Sequence, residues 1–226
     1  MLGSVKLALS LAWMLYACVH DFKAREVPDH VWLAMVGMTA PLTAYEAYVN
    51  LIPWQLWLYS SLLAFTLGLI LYYAGIWGGA DSKALWCIGL GLPITHRGPH
   101  PFTPLACLDN AYLLALAVIP YCLARNIAYK VRRGPLFEGV EAGLPSKLLA
   151  LCFAYRGKSK HAWSVVEGGR LRFKLRINGL REAGEGWITP KLPFTAFLTL
   201  GLALAYIQGD LLWTALWSLL GGLQAY

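Results

Sequence analysis

Apolar residues run along this chain in long stretches separated by short polar interruptions. The segments 2–20, 31–49, 55–76, 82–95, 104–125 and 192–208 are each dominated by apolar side chains. A helix needs about 20 such residues to cross the hydrocarbon core of a bilayer, so the pattern predicts about six transmembrane helices. The fourth stretch is short, and the tail 211–226 either extends the last span or lies along the interface. The first run is too long for a signal-peptide core, and no small-residue cleavage site follows it, so it is expected to be a retained helix.

The pattern changes once, between residues 126 and 191. Pro145-Ser146-Lys147 opens a short amphipathic helix predicted to run to Tyr155, with its Lys and Arg facing lipid headgroups. Residues 170–177 alternate polar and apolar, with Leu171, Phe173, Leu175 and Ile177 on one side, as in a half-buried strand. Gly168-Gly169 separates that strand from residues 163–167, which predicts a hairpin. The expected architecture is a polytopic α-helical membrane protein. Helices one to five occupy residues 1–125. A small β-containing subdomain fills 126–191, between spans five and six, and the last helix and apolar tail occupy 192–226.

Composition excludes a soluble globular domain. Hydrophobic residues make up 58% and charged residues 14%, against roughly 45–50% and about 25% in ordinary globular chains. The net charge of +7 is concentrated in the polar segment, where 13 Lys and Arg meet 5 Asp and Glu. Basic loops stay cytoplasmic. Lys23 and Arg25 follow span one, Lys83 opens span four, and the 13 cations lie between spans five and six. The chain is therefore expected in the cell membrane with its N-terminus outside and these loops on the cytoplasmic side. Anionic lipid accounts for the basic loop, and no nucleic-acid partner is expected. Cys18, Cys87, Cys107, Cys122 and Cys152 form no Cys-x-x-Cys pair and read as small apolar packing residues rather than a disulfide or metal set.

Two acids stand out against this background. Asp21 ends the first apolar run and opens Asp-Phe-Lys-Ala-Arg-Glu-Val-Pro. Asp81 follows Gly78-Gly79-Ala80 and opens the fourth run. Ionisable groups are costly at membrane depth and mark functional sites by default. The charge pattern puts both on the cytoplasmic side, where two carboxylates that meet can share a proton and activate water. Each also has a plain reading: Asp81, with Ser82, as a helix N-cap, and Asp21 as a wetted helix end. Glu46 and Asp210 fall near outer helix ends and are expected to face water. Asp109, with Asn110, reads as a cap-like or packing group. His96 and His100 flank Arg-Gly-Pro, a sequence unsuited to a helical metal pair.

The two motifs in order, Asp21-x-Lys23-x-Arg25-Glu26-Val27-Pro28-Asp29 and Gly78-Gly79-Ala80-Asp81-x-Lys83, resemble the archaeal type IV prepilin and preflagellin peptidases, aspartic proteases of the GxGD group. The segment Trp187-Ile-Thr-Pro190-Lys-Leu-Pro193-Phe194 is similar too. Ala80 departs from the G-x-G-D pattern while remaining small. The resemblance implies a membrane aspartic endopeptidase that cuts the basic leader of preflagellins or prepilins just before an apolar helix. Asp21 and Asp81 would be the catalytic pair, one as general base and one as general acid. Cofactors, metal and methyl transfer are not expected. Glu26 and Asp29 would receive the basic leader, or else serve as a solvated charge and a cap for span two. Pro190 and Pro193 would shape the start of the last helix. Competing readings are an intramembrane protease of the presenilin or signal-peptide-peptidase type, a proton-coupled transporter, and a non-catalytic scaffold. The transporter predicts midplane acids and two similar halves, neither of which the sequence displays.

Overall fold

A computed structural model describes residues 2–159, 162–167, 169–171 and 185–223. In chain order the elements are α1 (Leu2–Ala24), α2 (Asp29–Tyr48), α3 (Trp54–Tyr73), α4 (Gly79–Gly91), α5 (Thr103–Ala115), α6 (Val118–Arg133), α7 (Leu144–Phe153), β1 (Tyr155–Lys158), β2 (Ala162–Ser164), β3 (Val166–Glu167), β4 (Arg170–Leu171), β5 (Glu185–Pro190), α8 (Phe194–Ile207) and α9 (Leu211–Leu223). They form two compact units, one of residues 1–115 with 193–226 and the other of residues 116–192.

Each apolar stretch read from the sequence holds a helix. Among the described residues, however, only Leu2–Ala24, Trp54–Tyr73 and the stretch Thr103–Arg133 are long and apolar enough to span alone. The pair Phe194–Ile207 and Leu211–Leu220, bent by 55°, makes a fourth if counted as one span. The number falls short of six for physical reasons. The helix α4 has 13 residues, about 20 Å at 1.5 Å per residue. The helix α2 has the length, but Asp29, His30, Thr39, Thr43 and Glu46 lower its apolar character.

In the first unit, α5 packs along α8, α4 lies against α2 and α3, and α1 lies against α2 and α8. Met14, Met35, Leu85, Ile88, Leu198 and Leu202 are fully buried at its centre. Small residues permit the close helix approaches that membrane bundles use. A Cβ on Gly201 would stand 2.4 Å from the Cys107 carbonyl oxygen, and one on Gly89 would stand 2.6 Å from the Ala64 Cβ.

Two acids expected in water are buried instead. Glu46 pairs with Lys6, whose ammonium also donates to Thr43 at 3.0 Å; Lys6 is 4% and Glu46 8% exposed. The α1–α2 contact supplies the partner that makes Glu46 tolerable inside. Asp210 is fully buried, 2.8 Å from His100 Nε2, and accepts the Trp213 N–H at 2.9 Å. Asn110 also acts between elements: its side chain donates to the Gly209 carbonyl and accepts from the Leu211 N–H.

The second unit contains α6, α7 and β1–β5. The helix expected over 145–155 is present as α7, which ends at Phe153, with Tyr155 opening β1. A three-stranded antiparallel sheet has the order β1-β5-β2, pairing Tyr155 with Ile188 and Ala162 with Pro190. The expected hairpin is present in part, because β3 pairs with β4 through Val166 opposite Leu171. Trp163 does not join that hairpin. It lies in β2, opposite Thr189, and β5 was not foreseen as a strand. The remainder of the alternating run, residues 172–177, lies outside the described residues.

Candidate active site

The first carboxylate sits where the sequence stops a helix. The helix α1 closes with Arg25 in the left-handed region at φ 58°, its N–H reaching the Asp21 carbonyl at 3.1 Å. Such a residue is a common helix terminator. Pro28 then caps the start of α2 with extended backbone. Asp21 therefore occupies the last turn of α1 and is half-buried. Its Oδ2 accepts a 2.7 Å hydrogen bond from Thr195 Oγ1. Thr195 is 1% exposed and lies in the first turn of α8, just after the N-capping Pro193. One turn further along each helix, Cys18 Sγ and Thr199 Oγ1 stand 3.2 Å apart, and Thr199 donates to the Thr195 carbonyl at 2.8 Å. The pairs 18/21 and 195/199 have the spacing that places residues on one helix face.

The second carboxylate sits in the first turn of α4. Gly78 is the N-cap, and Asp81, three residues later, accepts the Gly78 N–H at 3.3 Å. Asp81 is thus not the N-cap. Its side chain reaches back to the cap residue, as the acidic member of a capping box does. Ser82 is buried and donates to the Gly68 carbonyl of α3 at 3.0 Å, which fixes the rotation of α4. Ala80 lies inside α4, where alanine is unstrained, so the departure from glycine costs nothing there. Gly78 has φ −78°, open to any residue. A Cβ on it would stand 3.6 Å from Asp81 Oδ2, an ordinary contact.

The two acids are brought together. The helices α1 and α4 touch, and the charge of Asp21 acts on Asp81. Two carboxyls that come together can share a proton, because double ionisation is disfavoured. Buried Trp77, just before the N-cap of α4, lies 5.2 Å from Phe194 ring to ring, and Phe194 is 5.3 Å from Tyr112. Among the described residues, no group of three or more His, Cys, Asp or Glu is placed to hold a metal ion.

The other residues singled out from the sequence divide into two groups. Asp29 pairs with Lys83 at 2.5 Å, tying the two motifs together at the surface. It is the first residue of α2 rather than its cap, since that position belongs to Pro28. Lys23, Arg25 and Glu26 are exposed around the end of α1. Pro193 begins α8 as expected, whereas Pro190 ends β5 in the second unit. Thr195 was missed in the sequence. The available signal was a hydroxyl in the first turn of an otherwise apolar helix, directly after Pro-Phe.

The chain matches the type IV leader peptidase family over residues 8–123, a range that includes both aspartates. It is 32% identical to a preflagellin peptidase of Methanococcus maripaludis, an alignment covering 87% of this chain and 92% of the relative. It is 24% identical to a preflagellin peptidase of Methanococcus voltae, covering 90% and 94%. A third preflagellin peptidase, from Methanocaldococcus jannaschii, is 25% identical over 87% of this chain and 91% of its own length. The chain belongs to the type IV leader peptidase family, and its chemistry is that of a protease, the hydrolysis of a peptide bond.

Proposed function

We propose that this protein is a membrane-embedded aspartic endopeptidase that removes the basic leader from preflagellin-like or prepilin-like precursors, with Asp21 and Asp81 as its catalytic pair. The observation that carries the reading is the meeting of two carboxyls from separate apolar helices, one of them held by a buried hydroxyl. A multi-pass arrangement with both acids at the cytoplasmic face would fit a substrate whose leader stays in the cytoplasm while its apolar segment enters the bilayer.

Hydrogen bonds to the charged form stabilise that form. The contact from Thr195 to Asp21 is 2.7 Å, against 3.3 Å from the Gly78 N–H to Asp81, so Asp21 is the more firmly held of the two and is assigned the base's role. In this mechanism ionised Asp21 takes a proton from water as the oxygen attacks the scissile carbonyl. Protonated Asp81 donates to that carbonyl and then delivers its proton to the leaving amine. The pair titrates as a unit, and each turnover restores the shared proton. Glu26 is exposed where it can meet the leader's cations, whereas Asp29 must first part from Lys83.

The test is cleavage of a preflagellin precursor by membranes containing this chain, with the new N-terminus read by mass spectrometry. A single cut at the junction of leader and apolar segment is expected. A cut within the apolar helix would replace this reading with an intramembrane protease.

A further inference from the structure

The second unit contains a cavity that the cleavage chemistry does not use. It has a volume of about 330 Å³ and is lined by Arg125, Tyr129, Arg132, Arg133, Arg156 and Lys158, together with two small residues and no acid. Two periodicities build it. Residues 125, 129, 132 and 133 follow the spacing of a single face of α6. Arg156 and Lys158, two apart on β1, share one face of their strand. The aromatic rings hold two of the guanidinium groups in place: Arg125 lies 4.7 Å over Tyr155 and Arg156 lies 5.4 Å over Tyr129. Arg156 is braced further by donating to the Leu136 and Glu138 carbonyls at 2.7 and 3.1 Å. Gly157 keeps the wall thin, since a Cβ there would stand 3.3 Å from the Tyr155 ring and 3.5 Å from Arg125.

Compensation of the helix dipole accounts for Lys130, Arg132 and Arg133 in the last turn of α6. It does not account for two more cations arriving from a strand to face them. The four arginines gathered around one cavity repel one another, and an anion bound among them would offset that repulsion. Forked guanidinium donors in that arrangement match phosphate oxygens. On the opposite side of α6, Ile127 and Val131 are 63% and 81% exposed, a surface suited to lipid.

We propose that this cavity binds a phosphate-bearing anion, supplied either by an anionic lipid headgroup or by a soluble phosphate. The proposal is independent of the peptidase reading, and its failure would leave that reading untouched.

The test uses the full chain in detergent micelles, titrated with short-chain phosphatidylglycerol, short-chain phosphatidylcholine and inorganic phosphate. Calorimetry gives affinity, and native mass spectrometry gives stoichiometry. One phosphatidylglycerol per chain is expected, bound more tightly than phosphatidylcholine and weakened by salt. R132Q/R133Q should lose at least about tenfold in affinity, as two charge-assisted contacts are removed. K130Q/K147Q removes the same charge from the same unit outside the cavity and should bind like the parent. Displacement of the lipid by inorganic phosphate identifies the phosphate group itself as the ligand. Lipid binding that phosphate cannot displace identifies the headgroup in its membrane setting, and both outcomes support the site. The proposal is overturned if phosphatidylglycerol binds no better than phosphatidylcholine and phosphate does not bind. It is also overturned if K130Q/K147Q weakens binding as much as R132Q/R133Q, for then bulk charge is responsible. Both arginines are exposed, and an unchanged melting temperature with Arg132→Gln alone guards against misfolding.

Discussion

Replacing Thr195 by valine keeps the side chain's shape and removes the hydroxyl that Asp21 accepts from at 2.7 Å. The site is 1% exposed, so water cannot easily supply a substitute donor. A hydrogen bond to a charged group is worth about 1.5–3 kcal/mol, and at about 1.4 kcal/mol per factor of ten the change corresponds to roughly a 10- to 150-fold loss. The hydroxyl touches the proposed base and not the substrate, so the loss should fall on kcat with KM nearly unchanged. Thr195→Ser keeps the donor and should retain most activity, while Thr195→Ala should resemble valine. The assay is cleavage of a purified precursor in detergent at several substrate concentrations, with thermal unfolding as a fold check. Parent-like kcat in Thr195→Val would refute the positioning role. A serine variant as poor as valine would show that packing of the methyl group, rather than the hydroxyl, matters.

The remaining predictions concern the bundle and the leader. Glu46→Gln should strand the buried Lys6 charge and cost about 3–5 kcal/mol, whereas the double variant K6M/E46L should regain most of that in thermal unfolding. Gly201→Ala should lower the unfolding temperature, because its Cβ would be 2.4 Å from the Cys107 carbonyl and overpacking costs about 1–3 kcal/mol. Gly37→Ala, which meets nothing within 4 Å, should be neutral or stabilising. Glu26→Lys should raise KM for a basic-leader precursor, and an unchanged KM removes Glu26 from leader recognition. In contrast, Lys83→Gln should change stability by less than about 1 kcal/mol, since its partner Asp29 is 73% exposed and surface pairs contribute little.

Much of this arrangement was legible in the chain, for identifiable reasons. Apolar runs report helices through desolvation alone, so a helix lies at every predicted stretch. Run length does not report where a helix breaks; the one local sign is Pro120, which has no N–H to give the Leu116 carbonyl and sits in the first turn of α6. Asp21 and Asp81 stood out because carboxylates are costly beside apolar runs. Thr195 did not, because threonine is tolerated in apolar helices and its role depends on a partner 174 residues away. Glu46 and Asp210 were misread for the same reason. Nothing near them in sequence names Lys6 or His100, and without a partner an acid is rightly assigned to water. The strand β5 was obscured by Pro190 and by its reading as the approach to the last helix; its pairing with β1 and β2 is non-local.

The most direct measurement is precursor cleavage by membranes containing the parent chain, Asp21→Asn or Asp81→Asn, matched for inserted protein. The account predicts that each single change abolishes removal of the leader, because neither half of a shared-proton pair can act alone. If either asparagine variant still cuts at the parent rate, that aspartate is a helix-end group and the dyad mechanism is wrong.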